Sequence, residues 1–344
     1  MDVNALRQVD NGAEELNMKI LFVGSSNKYK EGSPIMRNQG ASLEKKGVSV
    51  DYFLIFGKGF TGYLRNIYRL RKFLKVNDYD IIHAHYGLSG IISLFSLKGQ
   101  KLVVSFMGDD ILGSVSSKGE RKYASVCMSY LNIHLFARFY DAVIVKSSEM
   151  LNKAGRKKNF ILIPNGVNME LFRPMDQNEC RRSLSWAEDQ VHILFPSDPA
   201  RGEKNYGLAV EAVGKIKGKR TVNLHNLKDT SHDQVPVIMN ASDVVILTSL
   251  HEGSPNVVKE ALACNRPVVA VETGDTGNLL KNTKGCYLAS YQPTDFYEKI
   301  VEALRFSDSG QPTSGRMRLQ EMGLSSTAVA ERLISVYNMA MGKC

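Results

Sequence analysis

Two acids and two bases in the second half of the chain have the types and spacing for chemistry on a phosphorylated ligand. Glu252 and Glu260 bound the run Glu252-Gly253-Ser254-Pro255-Asn256-Val257-Val258-Lys259-Glu260, which follows the apolar residues 244–247. Ser254 is a good N-cap and Pro255 suits a first helical position, so a helix is predicted to start there. Its unpaired backbone N–H groups would face the carboxyl end of the preceding strand, an arrangement that binds anions. Val257, Val258, Ala261 and Leu262 form the buried face of that helix, while Asn256 and Glu260 share a face that can border a cleft. From Ser254 to Glu260 the rise is about 9 Å at about 1.5 Å per residue, so the two acids would hold opposite ends of one ligand. Upstream, Arg201 and Lys204 lie in the loop Phe195-Pro196-Ser197-Asp198-Pro199-Ala200-Arg201-Gly202-Glu203-Lys204-Asn205. Two cations beside a helix start would neutralise a diphosphate and stabilise it as a leaving group.

The first half offers Gly32-Ser33-Pro34 ahead of a predicted helix, and Gly108-Asp109-Asp110 after a strand-like run. Gly108 permits close backbone approach, so this loop is expected to line the cleft. His83 and His85 sit at a predicted strand end and read as core or hydrogen-bonded histidines rather than as a base. Asp78-Tyr79-Asp80 spells a carboxylate pair that could hold a divalent ion, but it stands at a strand entrance and is read as coincidence. No metal site is expected. The cysteines Cys127, Cys180, Cys264, Cys286 and Cys344 form no paired spacing, which argues against a disulfide framework and a zinc site.

Such residues need a scaffold of parallel strands. Short apolar runs at 19–23, 48–55, 80–85, 102–106, 142–145 and 160–163 alternate with helix-length segments, and a second series follows at 192–195, 221–224, 244–247, 267–271 and 286–288. Two doubly wound α/β halves are implied, one at 18–165 and one at 166–326, after an extension at 1–17. Pro164-Asn165-Gly166-Val167 and then Arg173-Pro174 mark the connection. A last amphipathic pattern at 327–344 belongs to no strand. Length fits this division, since 344 residues exceed one ordinary core.

A composition of 43% hydrophobic and 23% charged residues is that of a soluble globular protein, and no stretch is long and apolar enough to span a membrane. Residues 1–17 lack a basic start and apolar run, so a cytosolic location is expected. The net charge of +9 favours phosphate-rich or anionic-lipid partners. Within 61–75, Tyr63, Ile67, Leu70 and Leu74 share one helical face, and Arg65, Arg69, Lys72 and Lys75 share another. That basic amphipathic helix is either a solvated surface helix or a contact for an anionic membrane, which would make the protein peripheral on the inner face of the plasma membrane. No aromatic-interleaved basic ribbon suggests nucleic acid.

The ordered set of the Arg201/Lys204 loop, Met239-Asn240-Ala241-Ser242-Asp243 and Glu252 to Glu260 resembles the retaining glycosyltransferases of family 4. Asp80-Ile81-Ile82-His83-Ala84-His85-Tyr86-Gly87, Phe106-Met107-Gly108-Asp109-Asp110 and Ile163-Pro164-Asn165-Gly166-Val167 extend that resemblance over nearly all of residues 18–341. It is similar to a subgroup that builds bacterial cell-surface polysaccharides of the teichuronic-acid or exopolysaccharide type. The resemblance implies the GT-B fold, with two Rossmann-like domains facing across a cleft and the C-terminal helix returning to the first. It implies a UDP- or GDP-sugar donor, a saccharide or lipid-linked acceptor and no obligatory cofactor. Glu260 would then bind the ribose and Glu252 the transferred sugar. Arg201 and Lys204 would bind the diphosphate, assisted by Gly253, Ser254 and the amides of Asn256 and Val257. Gly32 and Ser33 match the family's glycine-rich segment in part, and Met107 stands where many relatives carry a histidine. The alternatives are a GT-B nucleotide-sugar epimerase and a catalytically silent nucleotide-sugar-binding subunit.

Overall fold

The structure is a computed structural model, and it describes residues 18–27, 30–57, 59–114, 122–216, 218 and 221–343. Two parallel sheets organise these residues. The first holds six strands, β1 (Lys19–Ser25), β2 (Ser49–Ile55), β3 (Ile81–His85), β4 (Lys101–Ser105), β5 (Ala142–Val145) and β6 (Phe160–Leu162), in the order β2-β1-β3-β4-β5-β6. The second holds β7 (Val191–Phe195), β8 (Val222–Asn226), β9 (Val244–Leu247), β10 (Val268–Val271) and β11 (Cys286–Ala289), in the order β11-β10-β9-β7-β8. In each sheet the strand order reverses once, beside β1 and beside β7. A crevice opens at the carboxyl ends of the strands at such a point.

Both faces of each sheet are covered, so the strands read as unbroken apolar runs and the two-residue period appears only in what each side chain touches. In β1, Leu21 and Val23 enter one core while Ile20 and Phe22 enter another. The first of these cores lies under the helices Gly59–Phe73, Gly87–Leu94 and Tyr123–His134. The second lies under the helices Pro34–Glu44 and Ser326–Ala340. In β9, Val245 and Leu247 pack beneath the helix Asn256–Ala263, and Val244 and Ile246 beneath the helices Tyr206–Gly214 and Pro293–Asp308. The helix Ser326–Ala340 therefore belongs to the first sheet in space, although it follows the second in sequence.

The chain crosses between the halves twice, and the crossings touch. Val167 N–H donates to Leu324 O (2.9 Å) and Ser326 N–H donates to Val167 O (2.8 Å), forming an isolated parallel bridge. Gly166 lies so close to this bridge that an added Cβ would sit 2.8 Å from Ser326 Cα. Only glycine fits there without backbone movement.

Candidate active site

The loops after β7 and β9 meet at the switch point of the second sheet. Thr248 Oγ1 donates to Lys204 O (2.8 Å) and Leu250 N–H donates to Glu203 O (2.9 Å), which fixes one loop against the other. Lys204 Nζ is consequently bonded to a carboxylate oxygen of Glu252, and both side chains are largely shielded, 14% and 15% exposed. Arg201 pairs with Glu203 (2.6 Å) and keeps about half its surface, 45%, in contact with solvent.

Two cavities lie along the gap between the halves. One, of ≈ 410 Å³, is bounded by Ser33, Pro34 and Asn38 of the first half and by Arg201, Asn256, Val257 and Glu260 of the second. Phe172 and Leu227 give it an apolar wall, and His232 also lines it. The other, of ≈ 360 Å³, is bounded by Met107, Gly108 and Asp109 on one side and by Arg201, Lys204, Glu252 and Gly253 on the other. Arg201 borders both. Glu260 and Glu252 thus mark separate compartments with a guanidinium between them.

Several buried polar atoms in these walls have no partner among the described residues. They include Asn256 Oδ1 and Asn165 Oδ1 in the first cavity and His251 Nε2 in the second. Buried polar groups are nearly always hydrogen-bonded, so atoms of this kind lining a cavity are suited to a polar ligand. Burial pushes the Glu260 carboxyl up to about 7, against a smaller pull downward from Lys259.

The structure separates the residues read from the sequence into those that border the gap and those that support it. Arg201, Lys204, Glu252, Gly253, Asn256, Val257 and Glu260 border it from one side, and Ser33, Gly108 and Asp109 from the other. Gly32 does not line either cavity. Its φ of +90° turns the chain into the helix Pro34–Glu44, and a Cβ there would strike Met36 Cε at 2.3 Å. Asp110, expected to line the cleft, is instead 3% exposed. Its carboxylate accepts from Met107 N–H (2.9 Å), Gly108 N–H (3.0 Å) and Gly87 N–H (3.0 Å), so it holds two loops together rather than meeting a ligand. The expected N-cap at Ser254 is also displaced. The helix begins at Asn256 after Pro255, and Ser254 Oγ is bonded by Lys259 Nζ (3.0 Å).

Matches to known families and proteins follow the same division. The family "Glycosyltransferase Family 4" matches residues 35–171, and "Glycosyl transferases group 1" matches residues 201–305. The chain is 24% identical to D-inositol 3-phosphate glycosyltransferase 2 of Catenulispora acidiphila, covering 73% of this chain and 69% of that one. It is also 24% identical to UDP-Gal:alpha-D-GlcNAc-diphosphoundecaprenol alpha-1,3-galactosyltransferase of Escherichia coli, covering 68% of each. The fold superimposes on that of Anabaena HepE in complex with UDP and glucose, with a TM-score of 0.67, 16% identity and coverage of 92% and 98%. The chain is a family 4-like glycosyltransferase with the GT-B fold.

Other residues of the transferase emerge only in three dimensions. Lys259 is 1% exposed, and its Nζ donates to Asn165 O (2.8 Å) in the first crossing as well as bonding Ser254 Oγ. It ties the helix that carries Glu260 to the connection between the halves, and burial lowers its pKa to about 8. Gly274, with φ +58°, approaches Gly253 so closely that a Cβ would lie 2.4 Å from Gly253 O. His83 bonds Tyr337 Oη (2.6 Å) and Ser105 Oγ (2.8 Å), as a core histidine does. Asp80 accepts from Lys19 N–H (2.7 Å) at the amino ends of β1 and β3, opposite the ends where the cavities open.

Proposed function

We propose that this transferase passes a sugar from a UDP- or GDP-sugar to a saccharide or lipid-linked saccharide acceptor, with retention of anomeric configuration. One observation carries the reading: Arg201 stands between a compartment bearing Glu260 and a compartment bearing the Lys204–Glu252 pair. A nucleoside fits the first, with its ribose hydroxyls donating to Glu260 and its base beside Phe172 and Leu227. The diphosphate then lies over Arg201 and the helix start at Asn256, where side-chain and main-chain donors oppose its charge. The sugar enters the second compartment, where Glu252 accepts from its hydroxyls and also holds Lys204 toward the phosphate. The bond from the anomeric carbon to the phosphate oxygen breaks as the acceptor oxygen bonds to the same face. The acceptor's proton leaves on the departing diphosphate. Positive charge from Arg201 and Lys204 takes the part that a divalent ion takes elsewhere, so no metal is obligatory.

The placement of Gly108 and Asp109 opposite Glu252 suits an acceptor, and the lipid-linked class is supported by the kind of acceptor named for the Escherichia coli relative. A role in cell-surface polysaccharide synthesis follows from that class. The test is turnover of a nucleotide-sugar panel with a lipid-linked saccharide, with and without EDTA. Arg201→Ala and Glu252→Ala are each expected to lower kcat/KM by about a hundredfold or more, the scale of losing one transition-state charge contact. Activity that survives both substitutions defeats the assignment, and activity abolished by EDTA defeats its metal-free form.

A further inference from the structure

Lys259 is a buried charge that bonds outside its own helix. Its Nζ donates to Asn165 O (2.8 Å) and to Ser254 Oγ (3.0 Å). Asn165 lies on the connection itself, between Ile163 of a first-half core and Val167 of a second-half core, and Ser254 lies in the loop that carries Glu252. One ammonium thus joins the connection, the helix of Glu260 and the loop of Glu252. Stripping an ammonium of water is costly, and a methionine of similar volume would fill the space without that cost. Asp275 and Glu260 of the second half draw Lys259 toward its charged form, while Lys146, which follows β5 in the first half, is close enough to repel it. Asp275 depends on Lys259 in turn. Its Oδ1 is buried without a partner among the described residues, and burial raises that carboxyl against pulls downward from Lys259 and the Ser254 hydroxyl.

We propose that Lys259 is a positioning residue: its ammonium locks the connection between the halves to the helix that carries Glu260, so that a donor seated on the second half meets the loops of the first at a fixed distance. The donor's part in this rests on the transferase reading above. Asn256, Val257 and Glu260 stand on the same helix as Lys259, whereas Ser33, Pro34 and Asn38 close the cavity from the first half. A slip of the first half against that helix leaves the second-half contacts of a nucleoside intact and moves the opposite wall. The second cavity moves with it, since Gly108 and Asp109 face Glu252 across the same gap. There a displacement of about 1 Å can cost about a hundredfold in rate. The Lys45–Glu170 ion pair also crosses this joint, but both side chains are exposed and solvent weakens their attraction. Lys259 is a link that solvent does not reach.

Lys259→Met keeps the volume and removes the ammonium. Donor titrations with UDP-glucose, UDP-N-acetylglucosamine and GDP-mannose, and turnover of the donor that binds with a lipid-linked saccharide, compare it with wild type from pH 6 to pH 9. On the high-pH plateau the donor dissociation constant is expected to stay within about threefold of wild type, while kcat falls about tenfold or more. Lys259 also pulls the Glu260 carboxyl downward, so the pH at which donor affinity strengthens should move up by about one unit in the variant. Hydrogen exchange at Val167 and Ser326, the bonded amides of the two crossings, should quicken with no donor present. Lys259→Met combined with Asp275→Asn removes both charges. This double variant should recover the thermal midpoint lost by the single one but not its kcat, which separates positioning from stability and serves where the single variant fails to fold. Lys45→Met is expected to leave kcat unchanged. A wild type that binds no nucleotide sugar defeats the transferase reading, and exchange at the two amides still reads the lock. Unchanged kcat in Lys259→Met, a kcat that recovers together with the thermal midpoint, or exchange at the crossings that matches wild type would each overturn the proposal.

Discussion

Burial sets Glu260 in conflict with its task. An unfolded glutamate ionises near about 4.3, while in the fold its carboxyl is pushed up to about 7. The folded chain therefore holds that proton more tightly than the unfolded chain. The resulting stability is full at low pH and lost as pH rises through about 4 to 7. Ribose hydroxyls donate best to the ionised form, so donor affinity should strengthen over the upper part of that window. Glu260→Gln removes both effects. The variant is expected to melt higher than wild type at pH 8 but not at pH 4, with about 2–4 °C for each kcal/mol recovered. Its affinity for a nucleotide sugar at pH 8 should fall about tenfold, the scale of a hydrogen bond to a charged group, and lose its pH dependence. Thermal scans and donor titrations at the two pH values decide this; a wild-type affinity that is flat from pH 5 to pH 8 would remove Glu260 from the ribose.

Of the two carboxylates, Glu260 stands on the helix Asn256–Ala263, while Glu252 depends on the loop before it. Gly253 and Gly274 touch through backbone alone, so the segment after β10 braces the segment that holds Glu252. Gly274→Ala forces that brace apart by the width of a methyl group and strains a positive φ. Its kcat/KM is expected to fall about a hundredfold, as for a misplacement near 1 Å, while circular dichroism stays native. Activity within twofold of wild type would show that the brace is idle. The elements themselves were legible in the sequence. Each of the predicted strand runs overlaps a strand of the structure, because parallel strands covered on both faces need continuous apolar residues and few other segments supply them. Arg201, Lys204, Glu252 and Glu260 were legible by type and spacing. Asp110 and Lys259 were not, since an acid after glycine, or a lysine before glutamate, carries no mark of whether backbone or solvent meets its charge. Periodicity tells which residues share a face, but not whether another element covers it.

At the scale of the whole molecule, the two crossings at Val167 and Ser326 make the halves one unit with a narrow joint, reinforced by Lys259. The helix Ser326–Ala340 contributes Val329, Ala330, Leu333, Val336 and Tyr337 to the core under β1 and β3, and Tyr337 completes the hydrogen bonds of His83. Synthesis runs from one end, so the first sheet emerges from the ribosome long before the element that seals its underside. The second half can finish folding while the first still waits with an apolar surface bare, the condition in which a nascent chain clumps or recruits a chaperone. A chain stopped after residue 325 is expected to collect in the insoluble fraction, and a separately supplied 326–343 peptide to rescue it in part. A truncated chain that stays monodisperse would show that the sheet matures without its last partner.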